Sequence, residues 1–171
     1  DYLSYASDLI YVFNPKNSLD RIDLNIGLKE ILSLECDRKN RKGYWMKGVE
    51  KNIEIFDKCY GGKTAKATLN YKDEIYKIKL RGKGDRDLHR RNLKDMSLKI
   101  DIRGPKRLKG MEEFALQLPI LRNYTYELLG SKLISEEDII SPRNLYFKTF
   151  INGEYVGIRH LEESTSKELI E

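Results

Sequence analysis

The chain is 171 residues long, with 40% hydrophobic and 35% charged residues, which suits one folded domain or two small ones and excludes a disordered chain. Its net charge is only +5, and the basic residues concentrate in a block from Lys77 to Arg91 that continues to Lys109. An anionic partner would meet this central block. No run of about 18 apolar residues predicts a membrane span.

The first half of the sequence predicts mainly strands. Residues 20–26 alternate polar and apolar side chains as a strand does, and residues 28–38 place apolar side chains at helical spacing, which predicts an amphipathic helix. Residues 64–70 and 74–80 are strand-like runs joined by a short polar link, so they predict a hairpin. Residues 96–103 alternate in the same way and predict a third strand of that sheet.

The second half predicts a helix and a further hairpin. Residues 114–118 are a short strand candidate, and residues 121–133 have the apolar spacing of a helix. Asn152-Gly153 separates the alternating runs 145–151 and 155–161, which is a strong hairpin signal. The order of these elements predicts an α+β fold, with an antiparallel sheet and one or two packed helices.

Cysteine and histidine are too scarce for a zinc site of the usual spacing. The chain has two cysteines, Cys36 and Cys59, and two histidines, His89 and His160. No metal site is therefore predicted. The cysteines can be reduced thiols, which is the simpler interpretation, or a disulfide formed in an oxidising compartment.

Two features of the sequence point to phosphate binding. Gly82-Lys83-Gly84 follows a predicted strand, and glycines let backbone N–H groups approach a phosphate that Lys83 would neutralise; a β-turn that needs glycine is the simpler interpretation. Lys99 lies on a predicted strand and Glu127 in a predicted helix. Kinases hold ATP phosphates with such a lysine–glutamate pair, although both residues can equally be ordinary solvated side chains.

Five blocks of sequence follow one another in a fixed order between residues 78 and 171. They are Leu80-Arg81-Gly82-Lys83-Gly84-Asp85; Met96-Ser97-Leu98-Lys99-Ile100; Leu108-Lys109-Gly110-Met111 with Phe114-Ala115-Leu116-Gln117; Arg122-Asn123-Tyr124 with Tyr126-Glu127; and Ile151-Asn152-Gly153-Glu154-Tyr155-Val156-Gly157-Ile158 with Leu161-Glu162-Glu163. Together they resemble the N-terminal half of a CotH-like kinase domain, the atypical protein kinases related to spore coat protein H. The resemblance covers somewhat over half of the chain.

The resemblance implies a division of the chain and a set of site residues. Residues 1–63 would be a leader with the first strand and the amphipathic helix, and residues 64–171 would be the nucleotide-gripping N-lobe of a kinase-like fold. The nucleotide-binding residues it implies are Gly82, Lys83, Gly84, Lys99, Glu127, Leu161 and Glu162.

Several positions leave this assignment open or depart from the family pattern. Lys79 and Lys94 are alternatives to Lys99 as the lysine that contacts the phosphates. The residues after the second glycine, Asp85-Arg86-Asp87, stand where many relatives have a small polar pair.

The implied function is ATP-dependent transfer of the γ-phosphate to protein hydroxyls, with ATP and Mg²⁺ as cofactors, a protein substrate as partner, and a location at the cell surface or envelope. In this family the catalytic carboxylates come from a second lobe, which would lie beyond Glu171. We therefore expect a fragment with no catalytic residue of its own. The alternative is a non-catalytic structural or binding module of a surface or coat protein. A nucleic-acid partner is not expected, because the basic block has few aromatic residues.

Overall fold

Seven strands close into a barrel in the computed structural model, which describes residues 19–45, 64–84, 89, 92 and 94–165. The strands are β1 (Arg21–Ile26), β2 (Ala65–Tyr71), β3 (Glu74–Gly82), β4 (Leu98–Arg103), β5 (Glu113–Gln117), β6 (Asn144–Ile151) and β7 (Glu154–Glu163). Their order around the barrel is β1-β2-β3-β4-β5-β7-β6. Neighbouring strands are antiparallel except β1 and β6, which run parallel.

Two α-helices accompany the barrel. Helix α1 (Leu28–Trp45) follows β1 and contacts β2 and β3. Helix α2 (Tyr126–Glu136) comes between β5 and β6 along the chain, and a 3-10 helix, Pro119–Arg122, precedes it. Within the described residues, neither helix combines the length and the apolar character that crossing a membrane requires.

The predicted fold class is wrong. The structure is a closed mixed barrel that is mostly sheet, and not an α+β arrangement built on an open antiparallel sheet. The difference lies in β1, which pairs with β2 on one side and, in parallel, with β6 on the other. Leu24 of β1 faces Ile151 of β6, a distant residue in sequence. A local alternation pattern predicts a strand but not its long-range partners.

The predicted local elements are confirmed, with shifted ends. Both hairpins, the strands now numbered β1, β4 and β5, and helix α1 occur where the patterns placed them. Helix α2 begins later than predicted, because Asn123 and Tyr124 have left-handed φ angles of 48° and 58° that separate it from the 3-10 helix. Cys36 on α1 is disulfide-bonded, and Cys59 lies outside the described residues.

The barrel interior is one continuous apolar core. Burial alternates along β1, β3 and β4, so the strand pattern of the sequence is also the burial pattern there, whereas Phe114 to Gln117 of β5 are all buried. Phe114 and Phe147 are the largest fully buried side chains, and Leu34 of α1 joins the same cluster. The other set of alternate residues therefore faces outward and is available for polar chemistry.

The β6–β7 turn fastens β1 into the barrel. Asn152 and Gly153 both have positive φ angles, 49° and 82°, as expected for Asn-Gly in a two-residue hairpin turn. The Asn152 side chain accepts a hydrogen bond from the Ile26 N–H at 2.8 Å and donates one to the Ile26 carbonyl at 2.9 Å. One turn thus satisfies both backbone groups at the end of β1.

Asn152→Gly should lower the free energy of unfolding by about 1–3 kcal/mol, because it keeps the positive φ and removes only the two hydrogen bonds to Ile26. Urea denaturation followed by circular dichroism would measure the change. Lys72→Gly is the matched control, since Lys72 has φ 52° in the β2–β3 turn and we expect no loss there. Equal urea midpoints for Asn152→Gly and the wild type would show that the two hydrogen bonds from Asn152 to Ile26 do not stabilise the fold.

Candidate functional site

Glu162 is the centre of a charged cluster on the outer face of β7. Its carboxylate accepts hydrogen bonds from Lys83 Nζ at 3.0 Å and from Gln117 Nε2 at 2.7 Å. Arg122 Nη2 donates to both carboxylate oxygens, at 2.9 and 2.8 Å. The cluster therefore joins three separate parts of the chain: the loop after β3, strand β5 and the 3-10 helix.

A strained turn places Arg122 over this carboxylate. Arg122 ends the 3-10 helix, and the next two residues, Asn123 and Tyr124, both have left-handed φ angles. Such conformations in non-glycine residues are costly and persist where the surrounding structure holds them. Tyr146 helps to hold this turn by donating its hydroxyl hydrogen to the Tyr124 carbonyl. Arg122 Nη1 also donates to Glu127 Oε1 at 3.2 Å, which connects α2 to the cluster.

Strand β4 anchors the glycine loop that carries Lys83. The Lys83 N–H donates to the Ser97 carbonyl at 2.8 Å, and Ser97 Oγ is hydrogen-bonded to His89 Nδ1 at 2.9 Å. Gly84 has φ +82°, and a Cβ atom there would lie 2.5 Å from Cγ of His89, so no other residue fits without displacing the ring. Asp85, Arg86 and Asp87 lie outside the described residues.

A cavity of about 440 Å³ opens beside the cluster, between α2 and the outer face of the barrel. Arg122, Glu127 and Glu162 line it together with polar and apolar residues of α2, including Tyr126 and Ser131. A volume of this size is in the range of small-molecule sites. The cations of the cluster are reachable, since the side chains of Lys83 and Arg122 are 33% and 32% exposed.

The cluster keeps Glu162 ionised. Burial raises the pKa of the Glu162 carboxyl, but the hydrogen bonds and charges of Lys83 and Arg122 outweigh burial, so this pKa lies below its ordinary value. The carboxylate is consequently a permanent anion at neutral pH. It holds the two cations in place by charge-assisted hydrogen bonds.

His160 lies fully buried beneath the cluster as a neutral side chain. Burial lowers its pKa to about 4. The Asn144 amide donates to Ser131 and Pro142, so its oxygen accepts from His160 Nε2, at 2.8 Å, and leaves Nδ1 as an acceptor. Gln117 is the cross-strand neighbour of His160. Among the described residues, neither His160 Nδ1 nor the Gln117 side-chain oxygen has a hydrogen-bond partner.

The structure brings together some of the residues expected at the site and separates others. Lys83 and Glu162 are in contact, Gly82 and Gly84 flank Lys83, and Glu127 reaches the cluster through Arg122. Leu161 is fully buried inside the barrel.

Lys99 is paired with Glu113 rather than with Glu127. Its Nζ lies 2.6 Å from a Glu113 carboxylate oxygen on the neighbouring strand β5. Lys99 still lies near the cluster, because it faces Ala115, which faces Glu162. Two strand spacings, about 10 Å, therefore separate Lys99 from Glu162 along the outer face.

The Mg²⁺ that the resemblance implies does not fit the described residues. Among them, no group of three His, Cys, Asp or Glu side chains is placed to hold a metal ion. The two carboxylates of the cluster already accept hydrogen bonds from Lys83, Gln117 and Arg122. These positions suit an anion next to the cations better than a second cation.

Arg122 and Gln117 are site residues that motif reasoning missed. Both lie within blocks that carry the family resemblance, but neither has a spacing that reveals a role. One signal in the sequence could have indicated the turn that positions Arg122. Arg122 is followed by Asn123, and asparagine tolerates left-handed backbone. Contact with Glu162 depends on barrel closure, which no local pattern reports.

The chain matches no family model and no curated protein. The similarity to CotH-like kinases therefore rests on the sequence blocks alone.

His160 should make folding stability depend on pH. Its pKa is about 4 when folded, against an ordinary 6.5, so the unfolded chain binds a proton that the folded chain refuses. The free energy of unfolding should therefore be highest above pH 6.5 and should fall by about 3 kcal/mol between pH 6.5 and 4. Chemical denaturation at a series of pH values would measure this.

His160→Gln is the matched variant, because its amide can still donate to Asn144 and does not titrate. The decline between pH 6.5 and 4.5 should disappear. The loss at lower pH should remain, because Glu162 and Asp20 have lowered pKa values when folded and are protonated there. An unchanged profile for His160→Gln would show that another group causes the acid sensitivity.

Proposed function

We propose that this barrel is the nucleotide-gripping part of an ATP-dependent protein kinase of the CotH type, which transfers the γ-phosphate to protein hydroxyls. The observation that carries the proposal is the Lys83–Glu162 ion pair, formed between the glycine loop and strand β7 beside an open cavity. Both residues lie in blocks that carry the family resemblance. Kinase phosphate sites use a lysine that a carboxylate orients, beside a glycine-rich loop.

Lys83 and Arg122 retain donors for a ligand. A lysine ammonium has three N–H groups, and the bond to Glu162 uses one of them. An arginine has five, and the contacts of Arg122 with Glu162 and Glu127 leave others. Glu162 would act as a positioning residue, which fixes both cations before a phosphate arrives. Preorganised cations of this kind cost little reorganisation when an anion binds.

In this proposal Lys83, and not Lys99, is the lysine that contacts the phosphates. Lys99 is held by Glu113 at 2.6 Å on the outer face of β4, two strands from Glu162. Lys83 lies in the glycine loop itself, and its side chain is 33% exposed. The catalytic carboxylates and any metal would come from a part of the protein other than the described residues.

Lys83→Gln should weaken ATP binding to the chain about 10- to 100-fold, the equivalent of losing one charge-assisted contact of about 1.5–3 kcal/mol. Isothermal titration calorimetry, with thermal unfolding as a check on folding, would measure it. Lys148→Gln on the outer face of β6 removes the same charge at an exposed position away from the cluster and should leave affinity unchanged.

Lys99→Gln discriminates between the two lysines. A loss of affinity in Lys99→Gln with none in Lys83→Gln would return the assignment to Lys99 and refute the site proposed here. Absence of any ATP binding at millimolar concentration would favour the alternative, a structural or binding module without phosphoryl transfer.

A further inference from the structure

The outer faces of β2, β3 and β4 form a second charged surface, distinct from the Glu162 cluster. The inward residues of these strands are apolar, and cations dominate the outward positions. We call this surface the basic strip, and its members are Lys66, Lys77, Lys79, Arg81, Lys99 and Arg103. The strip therefore concentrates six positive charges on one surface of a chain whose net charge is only +5.

The strand register places like charges directly opposite one another. Lys66 faces Lys79 across the β2–β3 pair, and Lys77 faces Arg103 across the β3–β4 pair. Arg81 likewise faces Lys99, whereas Lys79 faces the acidic Asp101 on β4. Like charges at directly opposed positions destabilise a sheet, so the strip costs the fold stability.

Among the described residues, ion pairs neutralise only part of this charge. Lys99 pairs with Glu113 and Arg103 with Asp101, each at 2.6 Å. Within the described residues, Lys66, Lys77, Lys79 and Arg81 form no ion pair. A surface that keeps repelling charges unpaired is suited to an anionic partner, which would relieve the repulsion on binding.

We propose that the basic strip binds an acidic polypeptide segment in an extended conformation. Lys77, Lys79 and Arg81 occupy alternate positions of β3 and so repeat about every 7 Å. An extended peptide with Asp or Glu at alternate positions has the same repeat, and each of its carboxylates can meet one cation. The inference does not depend on nucleotide binding, because no member of the strip belongs to the Lys83–Glu162 cluster.

A polypeptide fits the strip better than a nucleic acid does. Proteins that bind single strands combine a basic groove with aromatic side chains on which bases stack. The outward positions between the cations of β2, β3 and β4 hold residues such as Thr68, Asn70 and Asp101, and none of the outward residues of these strands is aromatic. The strip therefore offers charge complementarity without a stacking platform.

Fluorescence anisotropy with a labelled peptide of alternating Glu and Ser residues would test the proposal. The triple variant Lys66→Gln, Lys77→Gln, Lys79→Gln should bind at least about tenfold more weakly than the wild type, and binding should weaken as salt is added. The control triple variant, Lys29→Gln, Lys132→Gln, Lys148→Gln, removes the same charge from exposed positions elsewhere and should retain affinity within about twofold.

Thermal unfolding supplies a second readout that loss of structure cannot imitate. The strip variant should melt a few degrees higher than the wild type, because it removes two of the three opposed like-charge pairs. It removes one opposed unlike pair, Lys79 with Asp101, but the Asp101 carboxylate is already bonded to Arg103. Weaker peptide binding together with higher stability supports the proposal. Equal weakening by both triple variants, absence of peptide binding, or tighter binding of a labelled single-stranded oligonucleotide than of the peptide would overturn it.

Discussion

Strand β1 pairs with β2 on one side and with β6 on the other, and without it the sheet would have two open edges. Its inward residues Ile22, Leu24 and Ile26 belong to the same buried cluster as the other strands. Asn152, at the turn between β6 and β7, satisfies both backbone groups of Ile26. The pairing of β1 with β2 and β6 thus both closes the barrel and completes its core. The positions of the outward residues around the barrel follow from this closure.

Closure determines which outward residues become neighbours. The pairing of β5 with β7 puts Ala115 opposite Glu162, and the pairing of β4 with β5 puts Lys99 opposite Ala115. The same register gives Lys99 a carboxylate partner on β5 and leaves Glu162 to residues arriving from the glycine loop and the 3-10 helix. The charged cluster is therefore assembled by the barrel from segments that are far apart in sequence.

The sequence predicted the local elements well, and the fold and the ion pairs poorly, for one physical reason. Alternating side chains and turn residues such as Asn152-Gly153 are patterns within a short stretch of sequence. They therefore sufficed to predict both hairpins and strand β1. The parallel partner of β1 and the partner of Lys99 depend on contacts between distant segments. The family resemblance implied Lys83 and Glu162 as site residues, but it did not imply the contact that the two side chains make with each other.

The outer face carries costs that a purely structural barrel would avoid. Asn123 and Tyr124 have left-handed backbone, and the basic strip places like charges opposite one another. His160 and Gln117 each bury an acceptor that no described residue hydrogen-bonds. Departures from locally favourable choices tend to collect at functional surfaces, where the rest of the fold offsets them. Here they fall on two adjoining regions of the same face, joined by Lys99 and Ala115. An acidic segment lying along the strip would consequently approach the cavity beside Glu162, which gives the two surfaces a spatial reason to act on one partner.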